Sequence, residues 1–119
     1  MLSEANRLRS SRSFSAAVRH GRRAGTRTLV LHLSVTTADS GGQKVGFVVS
    51  KAVGHAVTRN LVKRRLRHLT RERLDALPGP AVLVVRALPA AASAGYDELG
   101  RDFDRALGRL VARSEAASR

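Results

Sequence analysis

The feature that most constrains the fold is a strand, helix, strand run filling residues 44–87. From Lys44 to Ser50, Val45, Phe47 and Val49 alternate onto one face with the period of a half-buried strand. Roughly Ala56 to Leu77 follows a helical period and is ended by Pro78-Gly79-Pro80. Ala81 to Ala87 is then an unbroken apolar run of the kind buried on both faces. A helical connection of this length joins parallel neighbours, because antiparallel neighbours need only a short turn. The expectation is an α+β domain, a mixed sheet packed by helices in two layers.

The flanks complete the order. Ser11 to His20 reads as a short helix with Phe14, Ala17 and Val18 on one side and Gly21 as its stop. Arg22, Arg23 and Arg27 are expected in a loop. Thr28 to Thr36 alternates Leu29, Leu31, Leu33 and Val35 with Val30, His32 and Ser34, and the turn residues Asp39-Ser40-Gly41-Gly42 suggest a hairpin with the strand at 44–50. Tyr96, Leu99, Phe103, Leu107 and Leu110 recur at helical spacing to about Ala112. The reading is α-β-β-(β)-α-β-α, with room for one more short strand. At 119 residues the chain fits a single domain, 1–119, with an ordered core over about 7–112 and frayed termini.

Aromatics are only 3% of the chain, so the core must rest on Leu, Val and Ala. The absence of cysteine excludes disulfides and thiolate zinc sites. Apolar runs fall far short of the ~20 residues of a membrane span, and Glu4, Asn6, Arg7 and Arg9 replace the apolar stretch of a signal peptide. A cytoplasmic location is expected.

Charge narrows the function. Residues 1–74 hold 16 basic and 3 acidic side chains, residues 75–119 hold 6 of each, and the whole net charge of +13 therefore falls in the first part. GC-rich codon usage could explain why Arg outnumbers Lys 19 to 3, but not this segregation. A one-signed field on a small domain favours a polyanion, and nucleic acid is the common one. The charge centres on the long helix, where Arg59, Lys63, Arg67 and Arg71 recur at i+4 beside Asn60 and Arg64, opposite Val62, Leu66 and Leu69. Such a helix could present only a solvated basic face. Like charges at i+4 cost a helix roughly 0.2–0.5 kcal/mol per pair, however, and no acid between Asp39 and Glu72 relieves them. Phosphate binding is the better reason for the pattern.

The run Lys51-Ala52-Val53-Gly54-His55-Ala56-Val57-Thr58-Arg59-Asn60-Leu61-Val62-Lys63-Arg64-Arg65-Leu66-Arg67 resembles the signature of the bacterial ribonuclease P protein family. Arg7-Leu8, Phe14, His20-Gly21, Val45 to Lys51 and Tyr96 also stand in the family's order, so the resemblance spans about residues 7 to 112. It implies a left-handed βαβ crossover, against the usual right-handed rule. It implies a protein subunit that helps a catalytic RNA remove the 5′ leader of precursor tRNA, with Mg²⁺ held mainly by that RNA. The family's RNA-docking helix maps onto Arg59, Asn60, Lys63, Arg64 and Arg67, and the helical wheel adds Arg71. A cleft for the single-stranded leader would be marked by Phe14 on the first helix. Val18 and His32 stand where the family often has aromatics, which weakens stacking, and Lys51 and Arg86 could line the cleft with charge.

No residues suggest that the protein itself cuts RNA. A metal-dependent nuclease gathers carboxylates around its ions. Asp97, Glu98, Asp102 and Asp104 instead read as salt-bridge partners of Arg101 and Arg105 on the last helix, and His20, His32, His55 and His68 show no paired acid and base spacing. The expected partners are ribonuclease P RNA and precursor tRNA, without membrane, DNA or an obligatory protein oligomer. Rival readings are a ribosome-associated RNA-binding protein, a DNA-binding module with its helix in a major groove, and a nuclease in its own right.

Overall fold

The computed structural model describes residues 21–35, 44–77 and 81–117. The expected first helix, with Phe14 and Val18, lies outside the described residues. Strands β1 (Arg22–Gly25), β2 (Leu29–Val35) and β3 (Lys44–Val48) lead to helix α1 (Ala56–Arg73), which tightens into a 3₁₀ turn at Leu74–Ala76. Strand β4 (Ala81–Ala87), a second 3₁₀ turn (Pro89–Ala92) and helix α2 (Tyr96–Ala117) follow.

The sheet order is β1-β2-β4-β3. β3 and β4 are parallel neighbours, as the helical connection requires, with Val45 opposite Leu83 and Phe47 opposite Val85. The hairpin expected between residues 28–36 and 44–50 does not form, because β4 lies between those strands and pairs antiparallel with β2, Leu31 against Val85. The physical reason is burial. Leu83, Val84 and Val85 of β4 are each at most 1% exposed, so this strand needs cover on both faces and takes the centre. β2 instead forms its hairpin with β1, Arg23 opposite His32, in the stretch expected to be a loop. Thr26 Oγ1 and the Leu29 backbone exchange hydrogen bonds at 3.1 Å across that turn.

Both helices cover one face of the sheet. Leu29, Leu31, Leu33, Val45, Leu83 and Val85 form a single core with Val62, Leu66 and Leu69 of α1 and with Leu99, Phe103, Ala106 and Leu110 of α2. Phe103 is the largest fully buried side chain, and the rest of the core is aliphatic, as the composition demanded. α1 begins after a turn closed by Val53 N–H donating to Ser50 O and Gly54 N–H to Lys51 O. Gly54 has φ +155°, and a Cβ there would meet Thr58 at 3.1 Å, so glycine sets where the basic helix starts.

Candidate nucleic-acid interface

Two surfaces gather the sequence-selected residues. On α1, burial of Val62, Leu66 and Leu69 turns the opposite side outward, leaving Asn60, Arg64, Arg67 and Arg71 exposed and Lys63 half-buried. Asn60, Lys63, Arg64, Arg67 and His68 line a concavity of about 560 Å³. His68 is an addition to the expected binding residues; its i+4 spacing from Arg64 is the signal that the sequence offers. Arg59 and Arg71 do not line that concavity. Successive i+4 residues advance roughly 40° around a helix, so the expected stripe is a spiral that starts near the core. Arg59, at its beginning, is half-buried, and its Nε is enclosed without a hydrogen-bond partner.

The remaining cations of α1 are structural. Arg65 Nη1 donates to Ala94 O at 3.2 Å, tying the helix to the turn before α2. Arg73 pairs with Asp104, donates to Leu69 O at 3.0 Å and lies over the Phe103 ring at 5.8 Å. By contrast, Arg59, Asn60, Lys63, Arg64, Arg67 and Arg71 make no ion pair or side-chain hydrogen bond with any described residue. Five cations without acidic partners are suited to phosphate oxygens.

The second surface is the sheet face turned away from the two helices. Alternation places Arg23, His32, Val84 and Gly46 in one row across the four strands. Val30, Arg86 and Val48 form the next row, and Ser34, Val82 and Lys44 another. His32 and Arg86 thus share this face, and the strand register sets Arg23 and Lys44 on it as well. His32 is only 4% exposed, which rules out open stacking in this conformation, and its Nδ1 has no hydrogen-bond partner. Burial first, then the charges of Arg23 and Arg86, hold the imidazole below the ordinary histidine pKa. Lys51 is exposed in the turn beyond β3.

Three carboxylates of α2 are spent on the fold. Glu98 pairs with Arg27, Thr28 Oγ1 donates to Asp102 Oδ2 at 2.6 Å, and Asp104 pairs with Arg73. The expected Arg101 and Arg105 partnerships on the same helix give way to these tertiary ones. Among the described residues no three His, Cys, Asp or Glu gather as a ligand set. Nor is any helix among them long and apolar enough to cross a membrane.

Comparison with known proteins agrees with this architecture. The family model described as Ribonuclease P matches residues 2–111. The ribonuclease P protein component of a Nocardioides species is 60% identical over 113 residues, covering 94% of this chain and 97% of that protein. That of Streptomyces bikiniensis is 53% identical over 118 residues, covering 93% and 96%. Among solved structures, the Staphylococcus aureus RNase P protein superposes with TM-score 0.77 at 22% identity over 88% of this chain and 94% of that one. The Thermotoga maritima RNase P protein gives 0.72 at 22% identity, covering 89% and 96%. These two likenesses concern the fold, a mixed four-stranded sheet with its helices, while the sequence matches carry the kinship: the chain belongs to the ribonuclease P protein family, the protein component of a tRNA-processing ribonucleoprotein.

Proposed function

We propose that this chain acts as a single RNA-binding domain that docks on ribonuclease P RNA through α1 and holds the 5′ leader of precursor tRNA along the opposite sheet face, in the cytoplasm. The observation that carries the proposal is the set of α1 cations without acidic partners among the described residues, beside a concavity lined by Asn60, Lys63, Arg64 and Arg67. Arg59 and Arg71 extend this RNA-docking face at either end. Phe14, Val18, His32, Lys51 and Arg86 are assigned to the leader cleft, with Arg23 and Lys44 adding charge to its floor. Phosphodiester hydrolysis and the Mg²⁺ that supports it belong to the RNA subunit. The protein neutralises repulsion between two RNAs and positions the leader.

The test is cleavage of precursor tRNA at low Mg²⁺ and near-physiological salt by a bacterial ribonuclease P RNA, with and without the protein. Wild type should accelerate correct 5′ processing, and the triple variant Arg59→Ala, Lys63→Ala, Arg67→Ala should not. The log-log salt dependence of RNA affinity should be shallower in the triple variant by about 2 to 3, at roughly 0.7–0.9 for each phosphate no longer neutralised. Tight RNA binding by wild type without any effect on cleavage would leave a generic RNA-binding protein instead.

A further inference from the structure

We infer that the first two turns of α1 carry an apolar shelf that packs on an unstacked nucleotide of the partner RNA, so that docking includes a contact independent of phosphate charge. This inference rests on the reading of α1 as the RNA-docking helix. Val57 is 82% exposed and Leu61 41% exposed, and they are the exposed large hydrophobic residues among those described. Their i, i+4 spacing makes them neighbours on one helix face. Burial of Val62, Leu66 and Leu69 fixes that face as the outward one. Arg64 lies three residues beyond Leu61 and Asn60 beside it, so the shelf borders the basic concavity directly.

Single exposed apolar residues are ordinary. This pair is different because of its surroundings. A β-branched valine weakens a helix that already carries uncompensated like charges. No acidic residue occurs between Asp39 and Glu72, and the N-cap residue His55 makes no side-chain cap. Local stability therefore does not account for Val57, and Leu61, a good helix former, stands exposed beside it.

Charge complementarity selects the occupant. A cationic rim around a small apolar step suits a nucleotide whose base is splayed out of a helix, with its phosphate on Arg64, its sugar or base face on Val57 and Leu61, and a polar base edge within reach of Asn60. Single-stranded loops and bulges present such nucleotides, and regular RNA duplexes do not. A second copy of this chain would bring the same positive rim against itself.

The test measures binding of the full-length protein to ribonuclease P RNA across a salt series, for wild type, Val57→Ser/Leu61→Ser, Leu61→Lys and Arg64→Ala, with circular dichroism confirming that each variant is folded. The double serine variant should bind roughly tenfold more weakly at every salt concentration with the wild-type slope. Arg64→Ala should flatten the slope by about 0.7–0.9. Leu61→Lys decides the matter: purely electrostatic docking makes it bind more tightly with a steeper slope, whereas the shelf makes it bind more weakly. Tighter binding by Leu61→Lys, unchanged affinity of the double serine variant, or concentration-dependent self-association of the free protein abolished by that variant each overturns the inference. Failure of wild type to bind this RNA would instead overturn the docking reading beneath it.

Discussion

Replacing Thr28 by valine removes one buried oxygen and almost no volume, and it isolates the hydrogen bond that fastens α2 to the β1–β2 hairpin. Thr28 is fully buried and Asp102 is 7% exposed, and the hydroxyl donates to Asp102 Oδ2 at 2.6 Å. Hydrogen bonds to charged groups contribute about 1.5–3 kcal/mol, and the valine would leave the carboxylate poorly satisfied in a dry site. We expect a destabilisation of about 2 kcal/mol. For 119 residues at roughly 2.1 cal/mol/K each, the unfolding entropy is about 250 cal/mol/K, so the melting temperature should fall by roughly 8 °C. Thr28→Ser keeps the donor and should cost about 1 kcal/mol or less. Asp102→Asn removes the buried charge, and in a double-mutant cycle it should recover about half of the valine penalty. Thermal and urea unfolding measure all four proteins. A Thr28→Val protein within 0.5 kcal/mol of wild type, or a penalty that Asp102→Asn leaves intact, would refute the reasoning. RNA affinity and its salt slope should stay at wild type throughout, because neither residue belongs to the proposed binding surfaces.

Gly108 is exposed on α2 and a Cβ there would meet nothing within 4 Å, so Gly108→Ala should raise stability by about 0.5–1 kcal/mol in urea unfolding. Gly54→Ala should instead cost about 1–3 kcal/mol, since its φ of +155° and the 3.1 Å approach to Thr58 both oppose a side chain, and the start of α1 should lose amide-exchange protection first. The depressed pKa of His32 sets a pH dependence: below the ordinary value of 6.5 the unfolded chain takes up a proton that the native protein refuses. Its contribution is therefore complete above about pH 6.5 and is lost as the pH falls from there toward the native pKa. Unfolding at pH 7.5 and 5.5 should show a steeper acid loss for wild type than for His32→Gln, and equal losses would contradict the assignment.

How much of this is legible in the sequence depends on whether a local signal has a tertiary competitor. The β3–α1–β4 unit is readable because helix length and the apolar run at 81–87 both require parallel neighbours and a buried strand. The hairpin between 28–36 and 44–50 misleads because the turn residues Asp39 to Gly42 are a local cue, whereas strand order follows from which strand needs cover on both faces. β1 gives little signal since it has only four residues, Arg22–Gly25, of which Ala24 alone is buried. Without its register, Arg23 cannot be placed beside His32. On α2 the spacing offers Asp97, Glu98, Asp102 and Asp104 the partners Arg101 and Arg105. For Glu98, Asp102 and Asp104 folding supplies Arg27, Thr28 and Arg73 instead, which lie across the packed interfaces.

Those tertiary pairs give the uneven charge distribution its physical meaning. The balanced segment after residue 74 does not merely dilute the basic one; its carboxylates and carbonyls remove particular arginines from it. Glu98 takes Arg27, Asp104 takes Arg73, and Ala94 O takes Arg65. What α1 then presents is a selected subset: Lys63, Arg64, Arg67 and Arg71, with half-buried Arg59 at the start of the spiral nearer the core. The net charge of +13 therefore overstates what α1 can contribute to RNA binding. These five cations, each neutralising one phosphate, would account for a salt slope of at most about 3.5 to 4.5. They are also held in a fixed arrangement by the Arg65 and Arg73 anchors on the opposite side. A basic tail of equal charge would have to order itself on each encounter, whereas this helix holds its donors already spaced; in the proposed docking that smaller entropy cost favours carrying the charge on a packed helix.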